Sequence, residues 1–492
     1  MMVNLCYAIT AALFTGRVIG TDPLTPAKVE AGIKLEELER NLYNLNRIAE
    51  ENNGIRAFGT PGYKASVDYV LERAQTRFGP EYDTWTQAFN HSYAEVLEMS
   101  VTGPDGEDVE TVSLIYNPGT DEDGITAPLI DTPVDDERGS ACFEDQWTGI
   151  DATGKLALIK RGSCAISDKL KLARAHGALG VILYHNLEGT PNSATLGAEN
   201  IGLLVPVATI PLADGEAWKQ RLVANETLTV TLYVNAIFEE RETWNVFAET
   251  KEGDPENVIM LGAHLDSVQA GPGINDDGSG TTALLEIMTS FRLYSGFPNK
   301  VRFAWWAAEE SGLIGSLHYT SSLTAEEADR IRFYFNYDMI GSPNPQFAVY
   351  AGDNPGDMAG AQPLLDYLAA AGQDDAFLGA FGDSSDYVGF LELGIPSSGI
   401  FTGASEPYDP CYHLACDTTD NVDYDALTLN ARAAGVVAAQ MALSLEGVPS
   451  RNTTSLNPRH KNHLRAQFDT WKRAGRRAEM QKSCSHSGDH TA

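Results

Sequence analysis

The stretch that most constrains this chain is residues 258–287, VIMLGAHLDSVQAGPGINDDGSGTTALLEI. An apolar run, 258–261, is bounded by Gly262 and reads as a buried parallel strand. His264 and Asp266 stand at its end, and a glycine-rich loop with Asn275, Asp276 and Asp277 follows. A helix is expected from about Thr281, with Leu284, Leu285 and Met288 on one face. An imidazole and several carboxylates therefore gather where a strand hands over to a helix. In open α/β sheets, ligands bind at that carboxyl end.

Other strands recur at 301–306, 331–337 and 395–401, separated by helical segments, and the chain re-enters this pattern at about 243–246. The alternation predicts a doubly wound, mostly parallel mixed α/β sheet flanked by helices. With 492 residues the chain needs two or more domains. The opening segment, 21–113, reads as the edge of the main domain: helices at 35–48 and 63–78, then a strand pair over 84–101. Between 114 and 235 the pattern closes on itself. GKLALIKRGSC, a helix at 166–176 and GALGVILY resemble a protease-associated (PA) domain, an insert found in several peptidase families. His176 and His185 of this segment read as surface or packing residues. Residues 236–448 would form the catalytic domain, and 449–492 a basic, solvated tail.

A net charge of −33 and a pI near 4.5 argue against a nucleic-acid binder. The acidic field suits solubility in an acidic medium, or capture of metal ions and the protonated amine of a peptide. Among six cysteines, Cys142 with Cys164 and Cys411 with Cys416 form local pairs, which points to an oxidising compartment. Sequons at Asn90, Asn225 and Asn452 agree, as does a secretory signal over 1–20. No later run predicts a membrane span. A secreted monomer is expected.

Five places supply metal ligands at strand ends or in the loops after them: His264, Asp276, the pair Glu309-Glu310, Asp338 and His413. Imidazoles with carboxylates suit Zn²⁺ better than Mg²⁺ or Ca²⁺. Asp276 is the candidate bridge between two Zn²⁺ per chain, with His264 and Asp338 completing one ion and Glu310 and His413 the other. Neighbours on a strand point opposite ways, so Glu309 is left free as the general base. Asp266 is placed to accept the second imidazole N–H of His264. Tyr412 could donate to the developing oxyanion, and the Cys411/Cys416 bridge would pin its loop.

HLDS, GPGINDDGSG, WWAAEESGLIGS, NYDMIGSPN and DPCYHLACDTTDN resemble the M28 family of zinc aminopeptidases, especially the secreted fungal leucine aminopeptidase type with a PA insert. The resemblance implies the same ligands, base and oxyanion donor, a cis Asp276-Asp277 bond, and cleavage of apolar, leucine-like N-terminal residues from peptides with a free N-terminus. Two departures concern the substrate side. Asp383-Ser384-Ser385-Asp386 has Ser384 where relatives have Arg, and the segment between Gly403 and Tyr408 is shorter. A dipeptidase or carboxypeptidase would need a basic residue to hold a free carboxylate, and the motifs contain none. A non-catalytic relative would be expected to have lost ligands, and each is present.

Overall fold

The computed structural model describes residues 22–452 except 78, 192 and 193. The expected signal segment, most of the basic tail, Cys6 and Cys484 lie outside the described residues.

The strand that ends at the site runs Asp254–His264, three residues beyond the run that predicted it. Gly262 does not end the strand; it lets the strand pass. A Cβ there would stand 2.3 Å from the Tyr334 hydroxyl and 2.5 Å from the Trp306 indole nitrogen, which bond to each other at 3.0 Å. Strands Asn299–Trp306 and Ile331–Tyr337 flank it in parallel, with Trp306 level with His264 and Asn336 level with Gly262. Three carboxyl ends thus finish side by side.

Helix Gly278–Phe291 follows the site loop. Leu284, Leu285, Ile287 and Met288 have no exposed surface, so the helix is buried all round rather than along one face. The reason is tertiary: helices Pro26–Gly32, Leu35–Glu50 and Tyr424–Leu443 cover its outer side. Each buried aliphatic side chain contributes roughly 1.5–3 kcal/mol. Tyr424–Leu443 is, among the described residues, the one helix long and apolar enough to cross a membrane, and it is spent on this core.

The opening segment differs from expectation in two places. Helix Pro61–Leu71 starts on the Thr60 cap with proline in its first turn, then passes into a π-helical stretch, Glu72–Arg77. The expected strand pair over 84–101 is one strand, Tyr82–Thr102. Its partner, Thr229–Thr250, runs antiparallel along its whole length, with one shift of register between Val96 and Glu98.

The other edge of Thr229–Thr250 is shared. Residues 246–249 pair with 302–305 of the catalytic sheet, and 229–232 pair with 125–128 of the insert. In the insert, strands Ile125–Asp131, Leu156–Lys160, Gly180–Tyr184 and Val207–Ile210 run parallel to one another. Helices Ile166–Ala175 and Leu212–Val223 pack on them. Both local cysteine pairs are disulfides: Cys142–Cys164 in the insert and Cys411–Cys416 in the loop bearing His413. His176 stacks on Trp147, with ring centroids 5.1 Å apart.

Candidate metal centre

Asp277 organises the convergence. It caps the helix through Gly280 N–H at 2.8 Å and accepts the N–H of His264 at 3.1 Å and of Met339 at 3.2 Å. One buried carboxylate thereby ties together a strand end, the helix start and the residue after Asp338. The Asp276–Asp277 bond is cis. Gly280 lets the helix approach, since a Cβ there would lie 1.9 Å from the Tyr337 carbonyl oxygen.

His264, Asp276, Glu309, Glu310, Asp338 and His413 meet in one pit. His264 Nε2 lies 3.1 Å from Asp276 Oδ1, 3.6 Å from Asp338 Oδ1 and 4.0 Å from Glu309 Oε2. His413 Nε2 lies 3.2 Å from Asp276 Oδ2 and 3.1 Å from Glu310 Oε2. His264, Asp276 and Glu310, and likewise His264, Glu309 and Asp338, offer ligand atoms within 4.8 Å of one another. His413 and Ala308, beside Glu309, adopt left-handed backbone, φ 59° and 55°, as does Met339 after Asp338, φ 53°. Such residues concentrate at functional sites.

The electrostatics call for cations. Burial, then the carboxylates of Asp386, Glu310 and Asp338, push Glu309 well above the usual carboxylic range against the pull of His264. Glu310 is raised by burial and by Asp276. Burial alone would lower His413, but the Glu310 and Asp276 carboxylates outweigh it and raise the imidazole to about 11. Glu310 Oε1 and Asp338 Oδ1 are buried without a hydrogen-bond partner. Orphaned carboxylate oxygens beside inward imidazoles make a donor set that fits a metal.

Asp266 faces the second nitrogen of His264 through its backbone rather than its side chain. The second nitrogen of His264, Nδ1, lies 3.0 Å from the backbone carbonyl of Asp266, while the Asp266 carboxylate is 3.9 Å away. That carboxylate accepts the N–H of Glu309 at 3.1 Å and of Glu310 at 3.4 Å, holding the turn that carries both. The two glutamates follow the strand rather than lie on it, so the turn sends them to different partners, not strand alternation. Tyr412 stacks on His413 with centroids 3.8 Å apart, and burial and the site carboxylates hold its hydroxyl protonated.

Sequence reasoning missed the residues that aim the ligands. Asp417 accepts the N–H of Asn275 at 2.9 Å and of Asp276 at 3.1 Å. Ser385 donates to Asp338 Oδ2 at 2.6 Å and accepts from Asn336 at 2.8 Å. Asp417 closes the DPCYHLACD motif and Ser385 adjoins the departing Ser384, so proximity to the motifs was the available signal. Ser384 itself is exposed, its hydroxyl 3.4 Å from that of Tyr387.

A mostly parallel sheet delivering imidazoles and surplus carboxylates to its strand ends, with one carboxylate to spare, defines a metal-dependent hydrolase. The Peptidase family M28 model matches residues 245–438, and the PA domain model matches 125–218. The chain is 36% identical to a probable leucine aminopeptidase 2 of Aspergillus fumigatus, over 82% of each chain. It is also 36% identical to a probable lipoprotein aminopeptidase of Mycobacterium tuberculosis, over 86% of this chain and 89% of that one. An aminopeptidase from Aneurinibacillus superposes with a TM-score of 0.71 at 26% identity, covering 88% of this chain and 98% of that one. For a zinc aminopeptidase from Bacillus subtilis the TM-score is 0.66 at 26% identity, covering 87% and 98%. The chain belongs to peptidase family M28. It is a zinc-dependent aminopeptidase with a PA domain.

Proposed function

We propose that this enzyme removes apolar, leucine-like N-terminal residues from peptides at a centre holding two zinc ions per chain. One observation carries the two-ion reading. The two oxygens of Asp276 lie 3.1 and 3.2 Å from two different imidazoles, His264 and His413, as a bridging carboxylate requires. His264, Asp276 and Asp338 would hold one ion; Asp276, Glu310 and His413 would hold the other. Glu309 also comes within reach of His264 and Asp338. We assign it as the base instead, because at 4.0 Å it is the most distant of the carboxylates around His264. When bound, zinc supplies Lewis acidity that polarises the scissile carbonyl and lowers the pKa of the attacking water.

The remaining work falls to the chain. Glu309 takes the proton of the attacking water and returns it to the leaving amine. Tyr412, kept protonated, donates to the oxyanion as it forms. The carboxylates at the Asp338 end receive the free α-ammonium group. A carboxypeptidase reading would need a cation to hold a substrate carboxylate. Arg56, buried beneath the site, is occupied by the carbonyls of Leu265, Pro272 and Gly273. The names of the fungal relatives support the leucine preference. The two disulfides, with sequons on exposed Asn90 and Asn225, support export.

Zinc content and turnover of aminoacyl amides test the reading together. Two zinc ions per chain are expected, halved in His413→Ala. Glu309→Gln should keep both and lose about a hundredfold or more in kcat. One ion per native chain, or an active Glu309→Gln enzyme, would overturn it.

A further inference from the structure

A cleft of about 270 Å³ opens between the insert and the peptidase body. The segment leading into the insert contributes Val112, Leu114 and Ile115, and the insert Thr195; the body contributes Val268, Glu310 and His413. The wall on the insert side is built, not incidental. Ile115 N–H donates to the Ala194 carbonyl at 3.0 Å, and Val112 exchanges backbone bonds with Thr209 of the insert sheet. Tyr116, next in the chain, donates to the Ser311 carbonyl at 3.4 Å, one residue beyond Glu310. The insert is therefore latched to the turn that carries the two glutamates.

We infer that this cleft receives the side chain of the second substrate residue, the one that follows the scissile bond, and that the insert thereby selects for an apolar residue there. The inference rests on the proposed site assignment, which puts the substrate amine at the Asp338 end. Glu310 and His413 line the cleft; His264, Glu309 and Asp338 do not. The cleft thus lies beyond the far end of the centre, where a chain anchored by its amine runs on past the cleaved bond. Val112, Leu114, Ile115 and Val268 form an apolar wall that matches an aliphatic side chain, with Thr195 and Gln269 as polar neighbours.

The test compares kcat/KM for Leu-NH2, which has no second residue, with Leu-Gly-NH2 and Leu-Leu-NH2. The native enzyme should favour Leu-Leu-NH2 over Leu-Gly-NH2 by about tenfold or more. Ile115→Asp should bring that ratio near one by lowering the Leu-Leu-NH2 value far more than the Leu-NH2 value. Thr195→Trp, at an exposed position, should do the same by filling the cleft. A native ratio near one, or a ratio unmoved in both variants, would overturn the inference while leaving Leu-NH2 turnover, and the site reading, intact. A native enzyme that cleaves none of the three would take down the site reading and this inference with it.

Discussion

Asp417 touches no proposed zinc position, yet its removal should be felt at both. The side chain is 2% exposed and receives the N–H of Asn275 and Asp276 and the amide of Asn421. In Asp417→Ala, Asn421 keeps its bond to Asp409, so two buried backbone donors are left open. At about 1–3 kcal/mol each, the gross loss is about 2–6 kcal/mol. Burial already holds this carboxyl up at about 7, so part of its contribution is offset by desolvation. The lower half of the range, about 2–4 kcal/mol, is the expected change in urea unfolding of the chelated protein. The same two N–H groups fix the backbone of the bridging residue. Zinc affinity, measured by competition with a chelator, should fall about 10- to 100-fold, and Asp417→Asn should lie between. Stability within about 0.5 kcal/mol of native, together with unchanged zinc affinity, would refute the reasoning.

Ser385→Ala removes the donor to Asp338 and the acceptor for Asn336; zinc affinity should drop about tenfold or more by chelator competition, with a stability loss of about 1–3 kcal/mol. Gly262→Ala forces a methyl into the Trp306–Tyr334 bond and should cost about 1–3 kcal/mol in urea unfolding, without changing which metal binds. His91 is buried against the Tyr116 hydroxyl, and burial lowers its imidazole from 6.5 to about 3. The unfolded chain takes up this proton below about 6.5 and the folded chain does not, so stability is full above that pH and falls as pH drops toward 3. His91→Asn should flatten the pH dependence in that window by up to about 1.4 kcal/mol per pH unit, read as the difference between the two unfolding curves.

The ligands were legible because each is a chemically unusual residue at the end of a buried apolar run, and the rule about strand ends needs no tertiary knowledge. Their partners were not. Whether His264 is oriented by the Asp266 carboxylate or by its carbonyl depends on a turn angle, and both choices share one sequence. Ser385 and Asp417 are ordinary residues whose importance comes only from what the fold brings against them. The same limit explains the strand Tyr82–Thr102. Alternation reports that one face is covered but not by how many partners, so one long strand reads like a hairpin.

That long strand and its partner carry the architecture's main consequence. Thr229–Thr250 belongs to the catalytic sheet at one end and to the insert sheet at the other, so backbone hydrogen bonds fix the insert over the site. A flexible linker would let the cleft open to any second residue; a shared strand holds its width. The ribbon's register shifts between Val96 and Glu98, and Val96 lines the cleft. Such irregularities bend a ribbon and re-aim side chains. Straightening this one, by deleting Leu97, should swing the insert relative to Glu310 and change the choice of second residue before it changes zinc binding, because none of the proposed ligands lies on the ribbon.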